Sequence, residues 1–150
     1  MAFHQVKDII KESCTNHCKV AEYYDEMQEH VEECKVKMLL QNMKEHEEKI
    51  THCMKMYLKD SNSTLETWFQ YLPPLPDVND LIREDLSEEA SEDEVLHLFD
   101  EISNCFAIRY AKLSEISSSE AVHELFEKMT ELEKYELTRE SWIKTMMDDM

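Results

Sequence analysis

The stretch "QNMKEHEEKITHC", residues 41–53, is charged enough to pass for a solvated helix face. Yet Met43, Glu47, Ile50 and Met54 recur at steps of four, three and four. That is the spacing of one helical stripe. The stripe continues backwards through Leu40 and Val36 and forwards to Tyr57. A carboxylate, Glu47, therefore stands in the face that should meet a core. How the chain accommodates Glu47 decides what kind of helical protein it is.

Composition narrows the fold first. The 150 residues include no glycine, and the three prolines lie together at 73, 74 and 76. Tight turns between strands usually draw on glycine for positive φ. Its absence favours long helices, and an all-α fold is expected. Glu, Lys, Leu and Met supply good helix formers. The formal net charge of −18 repels phosphate backbones and anionic lipid, so neither nucleic acid nor membrane is an expected partner. No apolar run has the length of a membrane span. The N-terminus lacks the basic start and apolar core of a secretory signal. The cysteine count is odd, at five, which fits reduced thiols in a cytoplasmic protein. As small hydrophobes these thiols are expected in or near the core.

Helical periodicity divides the chain into four segments. The first, 3–29, carries the stripe Val6, Ile10, Ser13, His17, Val20, Tyr24 and Met27. The second, 31–59, carries the stripe already traced. A crossover over 60–91 opens on "DSNST", a stop and cap, and continues through "TWFQYLPPLP" and the acidic "REDLSEEASEDE". The third segment, 92–116, shows Val95, Phe99, Ile102, Phe106, Tyr110 and Leu113; the fourth, 120–147, shows Val122, Phe126, Met129, Glu133, Glu136, Glu140 and Ile143. One domain spanning 1–150 is expected, with hairpins at 3–59 and 92–147. The long crossover lets helices two and three run parallel, where a short loop would make them antiparallel.

The two hairpins are related. At an offset of 86 residues, Ala21 meets Ala107, Tyr24 meets Tyr110 and Val36 meets Val122. Leu39 then meets Leu125, Met43 meets Met129, Glu45 meets Glu131 and Glu47 meets Glu133, without a gap. A pseudo-two-fold would bring Glu47 and Glu133 face to face.

"VAEYYDEMQEHVEECKVKMLLQNMKEHEEKI" and "FAIRYAKLSEISSSEAVHELFEKMTELEKYEL" together resemble the duplicated hairpins of the ferritin-like superfamily, nearest its rubrerythrin-like branch. The likeness lies in helix lengths and pattern over most of residues 5–145 outside the crossover. It implies a ferritin-like four-helix bundle of two hairpins joined by a long crossover. In that family each first helix offers a glutamate seven residues before the tyrosine, and each second helix a Glu-x-x-His. Such oxygen-rich sets with some imidazole suit a hard di-metal centre.

Here the set is incomplete. His17 stands seven before Tyr24, and Ser103 seven before Tyr110. Glu47 and Glu133 persist, but Ile50 and Glu136 occupy the two histidine positions. His17, Glu47, Glu133 and Glu136 are the candidate metal ligands. The cofactor expected is none, or a single divalent ion (iron, manganese or zinc). The alternative is a relic polar core in which His17 pairs with a glutamate.

The function expected is a ferritin-like binding or assembly protein with a degenerate metal site, non-catalytic and self-associating. The alternative is a rubrerythrin-like metalloprotein in redox or peroxide defence, or in iron handling. The expected docking segment for a second copy or a protein partner is the crossover around Trp68, Phe69 and Tyr71, since aromatics are enriched at interface hot spots. The competing expectation is that Trp68 and Phe69 plug the bundle. Cys14, His17 and Cys18 share one face but lack a fourth ligand, and His46 is expected on a solvated face. A P-loop or dinucleotide fold is excluded in practice, because its phosphate cradle requires glycine.

Overall fold

The computed structural model describes residues 4–60, 62–82 and 90–148, with side chains described as far as residue 134. The acidic run at 83–89 and the side chains of Glu136, Glu140 and Ile143 lie outside the described residues. Four helices dominate: α1 (Val6–His30), α2 (Cys34–Lys59), α3 (Glu92–Ile116) and α4 (Glu120–Asp148). The duplication is kept in the backbone. Val6 and Glu92 open their helices 86 residues apart, and Cys34 and Glu120 do the same.

Each helix forms where periodicity places it. The stripe residues of α1 and α3 are all buried, as are Val36, Leu40, Met43, Glu47, Ile50 and Met54 of α2. Ser91 caps α3 by accepting from the Glu94 amide at 3.2 Å, and Glu92, Asp93 and Glu94 favour its positive end. α1 packs along α2, and α3 along α4.

The segment after α2 fixes the orientation of the hairpins. Asn62 caps a 3-10 turn over Ser63–Glu66, and β2 (Trp68–Phe69) then pairs antiparallel with β1 (His4–Gln5) at the start of α1. The same segment borders Ile116, Ser117 and Ser118 at the α3–α4 turn, and Phe69 meets Phe126 at 6.0 Å between ring centroids. The end of α2 and the end of α3 therefore share one end of the bundle, and the two helices run parallel. The crossover continues over the α1–α3 face. There Arg109 donates to the Pro76 carbonyl at 3.4 Å and to Glu12 at 2.9 Å, while Asn79 donates to Asn16 at 3.3 Å.

Some expectations need correction. α1 begins at Val6, not near residue 3, because His4 and Gln5 are drawn into the strand pair and the Val6 amide donates to the Thr67 carbonyl at 2.9 Å. α2 begins at Cys34 rather than near Val31, whose amide instead closes α1 by donating to the Met27 carbonyl. His46 is buried against Phe99, with ring centroids 6.3 Å apart, and not solvated. Cys14 and Cys105 are core thiols, but Cys18, Cys34 and Cys53 are exposed. Phe69 plugs the bundle, whereas Trp68, next to it on a strand, points the other way and is 54% exposed.

Candidate metal centre

At the middle of the bundle a cluster of buried polar side chains draws on all four helices. α1 supplies His17, α2 Glu47, α3 Tyr110 and α4 Glu133, and all four are buried. They meet because each occupies the inner stripe of its helix; of the four, Glu47 and Glu133 are partners in the 86-residue duplication.

The imidazole is the hub. His17 Nδ1 lies 2.5 Å from Glu47 Oε2, where an ionised Glu47 would accept the ring N–H. Nε2 lies 2.9 Å from the Tyr110 hydroxyl and 3.4 Å from Glu133 Oε1. A neutral ring would accept there from the Tyr110 O–H; an imidazolium would donate. His17 stacks on Phe106 at 3.8 Å with an interplanar angle of 13°, which fixes the plane of the ring. Phe106, Tyr110, Phe126 and Phe69 continue as a chain of aromatic contacts to the plugged end.

Burial drives the Tyr110 pKa well above the ordinary phenol value, and the charges of Glu133 and Glu47 push it further the same way. Tyr110 therefore stays a neutral hydroxyl at physiological pH, available to His17. Thr51 donates to the Glu47 carbonyl at 2.9 Å, and Cys14 to the Thr51 carbonyl at 3.7 Å, tying α1 to α2 just beyond the cluster. Among the described residues, Glu47 Oε1 and Ser103 Oγ are buried without a hydrogen-bond partner.

Of the four candidate ligands, His17, Glu47 and Glu133 come together; Glu136 lies on α4 with its side chain outside the described residues. The three do not fit a di-metal centre. Both ring nitrogens of His17 already face protein oxygens, leaving the imidazole no unengaged donor for a metal. Ile50 and Ser103, both buried, bring an alkyl group and a hydroxyl to two of the ligand positions. Among the described residues no group of three or more His, Cys, Asp or Glu side chains is arranged to hold an ion. The Cys14, His17 and Cys18 set is likewise not assembled, since Cys18 is exposed and His17 is committed elsewhere.

Periodicity alone missed the part played by Tyr110. Its place in the α3 stripe marks it as core, and the ring does pack there. The available signal was the pairing of Tyr24 with Tyr110 in the repeat.

No protein-family model matches the chain, and no curated protein matches its sequence. In structure it is similar to a protein from Thermotoga maritima assigned as a ferritin-like diiron-carboxylate protein. The TM-score is 0.61 at 16% identity, over 97% of each chain. At that identity the likeness is one of architecture, and it agrees with the four helices and their duplicated hairpins. The chain has the ferritin-like four-helix fold.

Proposed function

We propose that the chain is a ferritin-like helical protein that binds or assembles and does not catalyse, its ancestral type of metal site having become a polar core. The observation that carries this is the engagement of both His17 nitrogens, one by Glu47 and one by Tyr110, at the position where the rubrerythrin-like pattern has a glutamate ligand. Ile50 and Ser103 remove two more ligands from that pattern. The protein is proposed to be cytoplasmic; no helix among the described residues is long and apolar enough to cross a membrane.

Its docking surface is proposed to be the crossover, and its partner a second copy of the chain. Trp68 and Tyr71 are 54% and 60% exposed. Both sit on a segment anchored by Phe69 and held extended by the prolines, so little ordering remains to be done on binding. Between this segment and the α3–α4 turn lies a hollow of about 210 Å³.

Metal analysis of protein purified without chelator tests the non-catalytic reading. Less than one metal per chain is expected; two irons per chain would reject it. Light scattering over a concentration series tests association. A dimer that Trp68→Ala with Tyr71→Ala dissociates is expected, and a monomer at every concentration would remove that part. A second reading, a single divalent ion, draws on Glu47 Oε1, a buried carboxylate oxygen without a hydrogen-bond partner among the described residues. One ion per chain, lost in Glu47→Gln, would favour it.

A further inference from the structure

We propose that His17 is the residue that closes this bundle to metal, its imidazole ring occupying the gap between Glu47 and Glu133 and bonding what an ion would otherwise hold. The inference rests on the non-catalytic reading and names the side chain responsible for it.

Two carboxylates from opposite hairpins, both buried, need a partner between them, because an unpaired buried charge is strongly destabilising. A metal ion is one partner and a bridging imidazole another. His17 has the geometry of the second. Its two nitrogens lie on opposite sides of the ring, with Nδ1 2.5 Å from Glu47 and Nε2 3.4 Å from Glu133. An ion serving both carboxylates would have to stand about 2.0–2.6 Å from their oxygens. The ring fills that region and has little freedom to leave it. Phe106 covers its face at 3.8 Å, and the Tyr110 hydroxyl meets its Nε2 edge at 2.9 Å. Helices one to four are thereby joined through one side chain.

The other departures from the family's pattern do not close the site by themselves. Ile50 and Ser103 withdraw ligands, but neither bonds the remaining carboxylates. In their presence alone Glu47 and Glu133 would still attract a divalent cation. The exchange at position 17 is different, because it removes a ligand and fills its place.

Reversing it tests the assignment. Thermal melts of the full chain and of His17→Glu are recorded in EDTA and in millimolar Mn²⁺, with ion uptake measured by equilibrium dialysis. The wild type is expected to melt at the same temperature in both. His17→Glu adds a carboxylate and removes the ring. It is expected to melt lower in EDTA, to rise by about 5 °C or more in Mn²⁺ and to take up about one ion per chain. A folded His17→Glu that takes up no ion would overturn the inference while leaving the non-catalytic reading intact. Wild-type protein that takes up two ions per chain would overturn both. Should His17→Glu fail to fold in either medium, His17→Ser decides: it leaves the carboxylates facing each other with open space between. A Mn²⁺-dependent rise in its melting temperature supports the assignment, and indifference to Mn²⁺ overturns it.

Discussion

The two hairpins share a frame and differ at its centre. Tyr24 and Tyr110 are both fully buried, as are Val36 and Val122, and Glu47 and Glu133. The short connections fall in register too, at 31–33 and 117–119. Yet the position that holds His17 in the first hairpin holds Ser103 in the second. One delivers an imidazole that bonds across the bundle; the other delivers a hydroxyl without a hydrogen-bond partner among the described residues. A second contrast lies away from the centre. Leu39 and Met43 are fully buried, whereas Leu125 and Met129, their counterparts, are half-buried.

The strongest contrast should come from position 17 against position 103. His17→Ala leaves Glu47 and Glu133 without the ring that joins them and should cost about 3–5 kcal/mol in denaturant unfolding. Ser103→Ala removes one unpartnered hydroxyl and should stay within about 1 kcal/mol of wild type. Equal losses at the two positions would mean that the imidazole carries no special part.

The packing asymmetry should be the next largest. Leu39→Ala opens a cavity in the fully buried seam and should cost about 2–5 kcal/mol, while Leu125→Ala should cost about half as much. A reversed order, measured by the same unfolding curves, would contradict the burial difference between α2 and α4.

A third contrast is chemical. Cys105 in the second hairpin corresponds to exposed Lys19 in the first. Burial raises the Cys105 thiol from 9.0 to about 11, with Arg109 acting weakly against it. The folded value lies above the unfolded one, so its contribution is intact below about pH 9 and is lost as pH rises towards 11. Cys105→Ala should remove about 1–2 kcal/mol of the alkaline decline in stability over that window. Unchanged slopes in wild type and variant would place the decline elsewhere, with Tyr110 the next group to consider.

The smallest effect should be at the crossover clip. Arg109 is buried in the second hairpin but its partner Glu12 is largely exposed. Glu12→Ala should therefore cost less than about 1 kcal/mol, and less still at high salt.

Most of the frame was legible in the sequence, for physical reasons that differ by element. Stripes at helical spacing marked the inward faces of α1, α2 and α3 and of the described part of α4, and α2 ended beside the stop "DSNST". The parallel run of α2 and α3 followed from the length of the crossover. The pairing of β1 with β2 was not legible, since two residues on each side are too short for any periodicity to show. His46 illustrates another limit: a single residue beside a core stripe turns inward or outward according to its neighbours on another helix, here Phe99. At the site, the repeat set Glu47 opposite Glu133, and the ferritin-like resemblance added His17 as a candidate beside them. Neither could tell whether their lone pairs converge on an ion or on each other, because that depends on distances of an ångström or less and on the plane set by Phe106.

His17 is bonded to Glu47 and should stay so when metal is offered. Nitrogen-15 and proton NMR of the histidine rings tests it most directly. A His17 Nδ1–H signal protected from solvent exchange, shifted in Glu47→Gln and unmoved by stoichiometric Zn²⁺, is expected. A His17 ring that exchanges freely with water, or whose nitrogen resonances move on addition of one equivalent of Zn²⁺, would contradict it.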